Sequence, residues 1–253
     1  MATPSQSTGG KQRLDKELVL RRLVPTRSQA ESYIRLGHVE VNGTKVIKPG
    51  ELVSASDAIV MTASDRYVSR AGLKLASVAS ALQLQFRDKV VLDVGSSTGG
   101  FTDYALQHGA KLVIAVDVGT DQLHPSLHGH PRIELHEQTD IRSLQSSTLT
   151  ARPDIVVIDV SFVSLRDILP HVRTLCAKQT LVVAMVKPQF EAGKQQVNKG
   201  VIKNDRIRRD ILKDFETWAL HSWVIVRKSD SEVAGSKGNL ERFYALRSSL
   251  NHL

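Results

Sequence analysis

From residue 89 onward, short apolar segments rich in valine and isoleucine alternate with segments of helical periodicity. Strands without polar alternation are buried on both faces, and helices are the usual crossover connections of a parallel sheet. We therefore expect an α/β fold, a Rossmann-like seven-stranded sheet covered by helices on both faces. The predicted strands are 89–94, 112–117, 132–135, 155–160, 181–186, 223–226 and 242–246, and the predicted helices are 69–82, 100–108, 164–176 and 205–220.

The first sixty residues follow a different pattern. Two segments of helical spacing precede an alternation of apolar and polar residues around Asn42-Gly43, which is the strongest short-range signal of a β-hairpin. A further short strand is predicted at 58–61. The whole pattern predicts a disordered tail over 1–10, a small α+β domain over 11–63, an interdomain linker over 64–69 and the α/β domain over 70–253.

The chain carries 34 basic and 26 acidic residues, which gives a formal net charge of +8. Such a surplus favours polyanionic partners, because contacts with phosphates release condensed counterions. In the small domain we expect a basic face that binds the backbone of folded RNA, and the low aromatic content of 5% argues against a base-stacking platform there. Alternatively, these charges only solubilise two amphipathic helices. The candidates are Arg13, Lys16, Arg21, Arg22, Arg27 and Arg35.

Two further observations exclude classes of protein. Cys176 is the only cysteine, so the chain cannot form an internal disulfide framework or a multi-cysteine zinc site. No apolar run approaches the roughly 20 residues of a membrane span, and the N-terminal residues lack the apolar core of a secretory signal. We expect a soluble, cytoplasmic protein that does not contact membranes and is monomeric when free.

The first strand of the α/β domain leads into a glycine-rich turn, residues 93–101, and then into a helix. The turn lacks the Gly-x-Gly-x-x-Gly spacing of dinucleotide sites, and Asp93 at its start is unfavourable beside a pyrophosphate. An acidic residue there suits the ammonium group of S-adenosylmethionine instead. Asp117, at the end of the second strand, can accept bonds from both ribose hydroxyls, and Asp140 is placed to receive the adenine amino group. The alternative is a generic strand-to-helix turn without a cofactor.

The sequence therefore predicts S-adenosylmethionine as the cofactor. The candidate cofactor-binding residues are Asp93, Gly95, Ser96, Ser97, Thr98, Gly99, Phe101, Asp117, Val118, Asp140 and Ile141.

Charged residues also stand at the ends of later strands. Asp159 ends the fourth strand, Lys187 ends the fifth and Glu241 begins the last, while Lys74 lies on the helix that precedes the sheet. A hydroxyl that attacks a methyl group must lose its proton, and a lysine amine can accept that proton when its ammonium form is disfavoured. Each residue alone could be structural, Asp159 as a helix cap and Lys187 as a surface lysine. Together, beside a cofactor loop, they predict a catalytic site that requires no metal, because the leaving group is a neutral thioether.

These motifs resemble the TlyA-type proteins, historically called haemolysins and regarded as ribosomal RNA 2′-O-methyltransferases. The N-terminal unit resembles the RNA-binding domain first described in ribosomal protein S-four, and the remainder resembles the FtsJ-like methyltransferases of class I fold. The resemblance implies a Lys-Asp-Lys-Glu tetrad at Lys74, Asp159, Lys187 and Glu241, and it implies ribosomal RNA or ribosomal subunits as the partner. The segments that carry it are 26–30, 41–43, 69–75, 92–101, 115–119, 158–161 and 186–193.

Two segments depart from the family pattern. Ala71 stands where the family commonly has glycine, and Lys237 precedes Gly238-Asn239 where the family often has an acidic or small residue. Neither change falls on the tetrad, so both bear on substrate fit. The other hypotheses are a membrane-active haemolysin, a non-catalytic RNA-binding assembly factor, and a methyltransferase acting on a small molecule or on a base.

Overall fold

The computed structural model of this protein describes residues 11–24, 27–35, 37–62, 67–192, 201–202, 204–235 and 238–249. Its contacts divide the chain into two compact units, residues 1–66 and 67–253. The predicted tail, residues 1–10, and residues 64–66 of the predicted linker lie outside the described residues.

The small unit combines two helices with short antiparallel strands. Strand β2 pairs with β3 and with β5, and β1 pairs with β4. At the tip of the β2–β3 hairpin, Asn42 and Gly43 have φ angles of 52° and 75°, the left-handed values that a tight hairpin turn requires. The predicted hairpin is confirmed. The elements are β1 Gln12–Arg13, α1 Leu14–Leu20, α2 Arg27–Arg35, β2 Val39–Val41, β3 Thr44–Lys45, β4 Leu52–Val53 and β5 Ile59–Met61.

The larger unit contains the predicted seven-stranded sheet. The strand order is β11-β12-β10-β9-β6-β7-β8, and only β12 runs antiparallel to its neighbours. The strands are β6 Val90–Val94, β7 Leu112–Val116, β8 Ile133–His136, β9 Ile155–Ile158, β10 Leu181–Val186, β11 Trp223–Asp230 and β12 Arg242–Ser248. The helices are α3 Arg70–Leu82, α4 Gly100–Gln107, α5 Leu165–Leu175, α6 Pro188–Glu191 and α7 Asp205–Ala219.

The core of this unit lies where the sequence placed it. All residues of β6 and β9 are buried, so these central strands are covered on both faces. Helix α5 buries Leu165, Ile168, Leu169, Val172 and Leu175, which share one face at helical spacing. The carboxyl ends of the parallel strands therefore meet at one edge of the sheet, the edge at which open α/β sheets bind ligands.

In the larger unit, the clearest differences from the sequence prediction are in β11 and α6. Strand β11 continues four residues beyond the predicted 223–226, because its polar residues up to Asp230 pair with β12. Helix α6 was not predicted, since a single turn that follows Pro188 has no periodicity to detect.

Candidate active site

The turn after β6 is shaped by close backbone packing. A Cβ atom on Gly95 would lie 2.7 Å from the carbonyl oxygen of Asp159, and Gly95 has a φ of 79°. Gly95 must therefore be glycine for two independent reasons. Gly99 caps α4 with a φ of 87°, and its Cβ position faces Leu123 and Leu127. Gly99 has a structural role in the turn.

Asp93 is fully buried at the end of β6. Thr102 Oγ1 donates a hydrogen bond of 2.7 Å to one carboxylate oxygen, and the other oxygen, Oδ1, has no hydrogen-bond partner among the described residues. Burial raises the pKa of Asp93 to about 7. A buried carboxyl group with one unpartnered oxygen suits a cationic ligand group.

Three adjacent cavities occupy this edge of the sheet. The wide cavity, of about 500 Å³, contains the predicted cofactor residues Gly95, Ser97, Asp117, Val118, Asp140 and Ile141. The inner cavity, of about 150 Å³, is lined by the predicted residues Asp93, Gly95, Ser96, Ser97, Thr98 and Phe101, together with Ala71, Asp159, Ser161 and Lys187. Of the predicted cofactor-binding residues, Gly99 alone lines neither the wide cavity nor the inner cavity. The third, which we call the lysine cavity, has about 320 Å³.

In the wide cavity, both predicted acidic residues already have partners. Asp117 accepts hydrogen bonds from the backbone N–H of Gly119 at 2.7 Å and of Ser97 at 2.8 Å, one on each oxygen. Each oxygen keeps a second lone pair for a ligand hydroxyl. Asp140 forms a forked ion pair with Arg142, whose hydrogen bonds lower the pKa of Asp140 to about 2. Any ligand contact with the Asp140 carboxylate must be shared with Arg142.

The lysine cavity contains two ion pairs. Lys187 Nζ lies 2.6 Å from Asp159 Oδ1, and Lys74 Nζ lies 2.5 Å from Glu241 Oε2. Both contacts are ion pairs by distance, although neither carboxylate oxygen is aligned for a directed hydrogen bond. Lys187 also donates a hydrogen bond of 2.7 Å to Ser161 Oγ. The structure thus brings the four predicted catalytic residues together, three of them lining this cavity.

Ser161 and Phe162 are the main residues that the sequence analysis missed. Ser161 lines all three cavities, and Phe162 lines the wide cavity and the lysine cavity. The Phe162 side chain is 91% exposed and its φ is 67°, a left-handed value that is rare for a bulky residue. Its ring centroid lies 5.2 Å from that of Phe190. An apolar residue directly after a strand-end Asp-Val-Ser is the only sequence signal for this feature.

A buried carboxylate holds this loop against α6. Glu191 accepts hydrogen bonds of 2.7 Å from Ser164 Oγ and from the backbone N–H of Leu165 at the start of α5. The Glu191 side chain is 1% exposed, and burial raises its pKa. The segment with Ser161 and Phe162 is therefore fixed by β9 at one end and by Glu191 at the other.

In the small unit, half of the predicted RNA-binding residues have internal partners. Arg13 and Arg27 both pair with the buried Asp15 at 2.8 Å, and Arg21 pairs with the buried Glu17 at 2.6 Å. Burial opposes ionisation of Asp15, but hydrogen bonds from the two arginines hold its pKa at about 2. These three arginines stabilise α1 and its neighbours. Lys16, Arg22 and Arg35 are exposed.

Sequence comparison connects this geometry to known proteins. The profile of FtsJ-like methyltransferases matches residues 67–248, and that of the S4 domain matches residues 12–59. The chain belongs to the FtsJ-like methyltransferase family. It is 41% identical over 238 residues to the Bacillus subtilis protein named "Putative rRNA methyltransferase YqxC", with 92% of this chain and 85% of that protein covered.

Other relatives cover a similar share of the chain. The Mycobacterium tuberculosis 16S/23S rRNA (cytidine-2′-O)-methyltransferase TlyA is 39% identical over 239 residues, which are 93% of this chain and 89% of that protein. A solved structure titled "Putative hemolysin", from Streptococcus thermophilus, has a TM-score of 0.72 at 37% identity and covers 95% of this chain and 89% of its own. Among the described helices, none is long and apolar enough to cross a membrane.

Proposed function

We propose that this FtsJ-like protein transfers a methyl group from S-adenosylmethionine to a ribose 2′-hydroxyl of ribosomal RNA. The observation that carries the proposal is the position of Lys187, which lines both the lysine cavity and the inner cavity and contacts Asp159 and Ser161. The names of the YqxC and TlyA relatives support ribosomal RNA as the substrate class.

The residues of the wide and inner cavities fit the cofactor. The unpartnered oxygen of Asp93 matches an ammonium group, and the remaining lone pairs of Asp117 match the two ribose hydroxyls. Val118 and Ile141 offer apolar surface to a planar base, and Asp140 can receive its amino group beside Arg142. When bound, S-adenosylmethionine supplies an electrophilic methyl group on a sulfonium.

Lys187 is the residue that we propose to accept the hydroxyl proton. A neutral lysine amine has two N–H donors and one lone pair. Ser161 accepts an N–H of Lys187 at 2.7 Å, and the Asp159 carboxylate lies 2.6 Å from Nζ as its ion-pair partner, so the lone pair that appears once the ammonium has released a proton to solvent can face the substrate. Since Lys187 lines the lysine cavity, a ribose hydroxyl in that cavity can donate to this lone pair. Orientation of the base is then fixed before the substrate binds.

Lys74 and Glu241 complete the wall of the lysine cavity. The Lys74 ammonium has three N–H donors beside its ion-pair partner Glu241, so it can donate to a ribose oxygen of the bound nucleotide. Such a contact holds the nucleotide while Lys187 receives the proton. The Phe162 and Phe190 rings at the rim of the cavity offer aromatic faces for the base of that nucleotide.

The small unit is the proposed docking domain for RNA, with Lys16, Arg22 and Arg35 as its exposed phosphate contacts. Arg13, Arg21 and Arg27 also remain candidates, since their side chains are 42%, 26% and 52% exposed beside their internal partners. The boundaries proposed for the two domains and their linker remain 11–63, 64–69 and 70–253.

Radiolabelled methyl transfer to separated ribosomal subunits and to whole ribosomes tests the proposal, followed by mapping of the modified nucleotide. We expect a single ribose-methylated position that depends on Lys187. Lysis of erythrocytes by the purified protein without cofactor, and no methyl transfer to any ribosomal particle, would support a haemolysin instead. Unchanged biological function after Lys187→Ala would support a non-catalytic assembly factor.

A further inference from the structure

The edge of the sheet opposite the cavities carries a row of basic residues. We call this edge the basal edge, and it is formed by the amino ends of the five mutually parallel strands β8, β7, β6, β9 and β10. Each of these strands is preceded within three residues by at least one exposed cation. The cations are Arg132, Lys111, Arg87 and Lys89, Arg152 and Lys178, in the spatial order of the strands.

The strand register aligns these residues across the sheet. Lys89 and Lys111 each stand one residue before a strand, and because Val90 pairs with Leu112 they are neighbours across β6 and β7. The backbone N–H of Lys111 donates to the carbonyl oxygen of Lys89 at 2.8 Å. Since neighbouring strands lie about 4.8 Å apart, five strands place the row along roughly 19 Å.

Most of these cations have no carboxylate within ion-pair distance. Lys89 lies 3.8 Å from Asp154, and Arg132 donates to the backbone carbonyl of Ala110 at 2.8 Å. Within the part of the chain that the structure describes, no ion pair involves the other four cations. The carboxylates beside the row are Asp88 and Asp154, so the basal edge has a positive net charge.

Compensation of helix dipoles does not explain the row. Helices α3, α4 and α5 end near the basal edge, and cations stabilise a helix mainly from its last turn. The last turns of α3 and α4 contain no basic residue, and only α5 has one, Arg173. The cations stand instead in the turns that lead into the strands, outside the last turns of these helices.

We infer that the basal edge binds phosphates of the RNA substrate, a surface separate from the cavities and from the S4 domain; the inference rests on the proposed function. Lysine and arginine side chains in a row match a phosphate backbone, and contacts of this kind do not depend on base sequence. A strand of five residues is about 16 Å long, so one nucleotide cannot reach both edges. The ligand is therefore a folded RNA that presents two segments, and a short oligonucleotide cannot bind both.

The test compares two triple variants of the full chain with equal loss of charge. The first is Lys111→Gln, Arg152→Gln and Lys178→Gln in the basal edge. The second, Arg206→Gln, Arg209→Gln and Lys213→Gln, changes exposed residues of α7 that have no ion pair among the described residues. Binding to purified ribosomal subunits, to protein-free ribosomal RNA and to a short single-stranded RNA is measured over a range of salt, with the thermal unfolding midpoint of each variant as the folding control.

For subunits and protein-free ribosomal RNA, we expect the basal-edge variant to reduce the salt slope of log Kobs by about 2 to 3, which is 0.7–0.9 per lost phosphate contact. The α7 variant and the short RNA should show no such change.

Equal salt slopes for the two variants would overturn the inference. An effect confined to intact subunits would also overturn it, because the ligand would then be a ribosomal protein. The kcat at saturating RNA should stay at the wild-type value. Absence of methyl transfer by the wild-type protein would refute the proposed function. The binding measurements would still show whether the basal edge contacts RNA, because they do not depend on methyl transfer.

Discussion

The amine of Lys187 lies between the carboxylate of Asp159, at 2.6 Å, and the hydroxyl of Ser161, at 2.7 Å. These two partners restrict the position of the Lys187 side chain, so they determine how the proposed base faces its substrate. Several consequences of this arrangement can be measured on the purified methyltransferase.

Lys187→Ala is expected to lower methyl transfer by a factor of about 10² to 10⁴, the usual contribution of a positioned general base. Binding of S-adenosylmethionine should be largely unchanged, because Asp93 and Asp117 remain. Initial rates with labelled cofactor and calorimetric titration measure the two quantities. Lys213→Ala, on the exposed face of α7, is the matched control. Normal turnover of the Lys187→Ala protein would contradict the mechanism.

Ser161→Ala should lower kcat about tenfold, which corresponds to the loss of one orienting hydrogen bond of roughly 1.4 kcal/mol. The KM for RNA and the Kd for the cofactor should stay close to wild type. Ser161→Thr retains the hydroxyl and should restore most of kcat. If the threonine and alanine variants were equally impaired, or if the loss appeared in KM, Ser161 would not be a positioning residue.

Phe162→Ala should lower kcat/KM for ribosomal RNA by about 5- to 150-fold, which corresponds to the roughly 1–3 kcal/mol typical of one base–aromatic stack. Phe162→Tyr should retain activity.

Phe162→Gly should lose activity and yet raise the free energy of unfolding by up to about 1 kcal/mol. Glycine adopts the left-handed backbone without strain, and little buried surface is lost because the Phe162 side chain is exposed. Thermal unfolding of Phe162→Gly measures this change in stability, and a large loss of stability in that variant would argue for a structural role of Phe162.

Cofactor affinity should depend on pH through Asp93. Its pKa of about 7 in the folded protein exceeds the ordinary value, so ionisation destabilises the empty site and the unfolding free energy falls as pH rises from 4 to 7. An ammonium ligand favours the ionised form, so affinity should increase between pH 6 and 7.5. Asp93→Asn should bind more weakly with a flatter profile. Calorimetric titration of the wild-type and Asp93→Asn proteins with S-adenosylmethionine at several pH values measures this dependence. Identical pH profiles of affinity would exclude a contact between Asp93 and the ammonium group.

Asp15→Asn is expected to destabilise the small domain by about 1–3 kcal/mol. Loss of a buried partner is costly, but Arg13 and Arg27 are each about half exposed, and solvent reduces the penalty. The folded-state pKa of Asp15, about 2, lies below the ordinary value, so its stabilisation is present above pH 4 and is lost as pH falls toward 2. Hydrogen exchange of the α1 amides at pH 7 and pH 3 measures the destabilisation and its pH dependence. Equal acid sensitivity of Asp15→Asn and wild type would refute the proposed contribution of Asp15.

Much of the larger unit could be predicted because its strands are continuous apolar runs. The hairpin was equally accessible from Asn42-Gly43, whereas β1 and β4 were missed because two-residue strands show no period. Asp159, Lys187 and Glu241 could be predicted from strand ends that meet at one edge of the sheet, whereas Lys74 was taken from the preceding helix and supported by the family resemblance.

The interactions that sequence could not predict depend on side-chain partners. Charge alone does not show that Asp15 and Glu17 are buried and therefore hold three of the six arginine and lysine candidates. The role of Ser161 requires the turn of the chain after Asp159, and the exposure of Phe162 requires its left-handed backbone. The sequence offers only a weak signal for either feature, the apolar residue that follows Asp-Val-Ser.

The contact between Gly95 and the backbone of Asp159 has a consequence for how such an enzyme could diversify. With no side chain between them, the turn that would hold the methyl donor packs directly on the backbone of Asp159, the ion-pair partner of the proposed base Lys187. The distance from donor to base is thus insulated from substitutions in the surrounding cavities. Substitutions of Phe162 and Phe190 at the rim of the lysine cavity, or of the cations of the basal edge, could then change the substrate. The arrangement of the donor turn, Asp159 and Lys187 would stay the same.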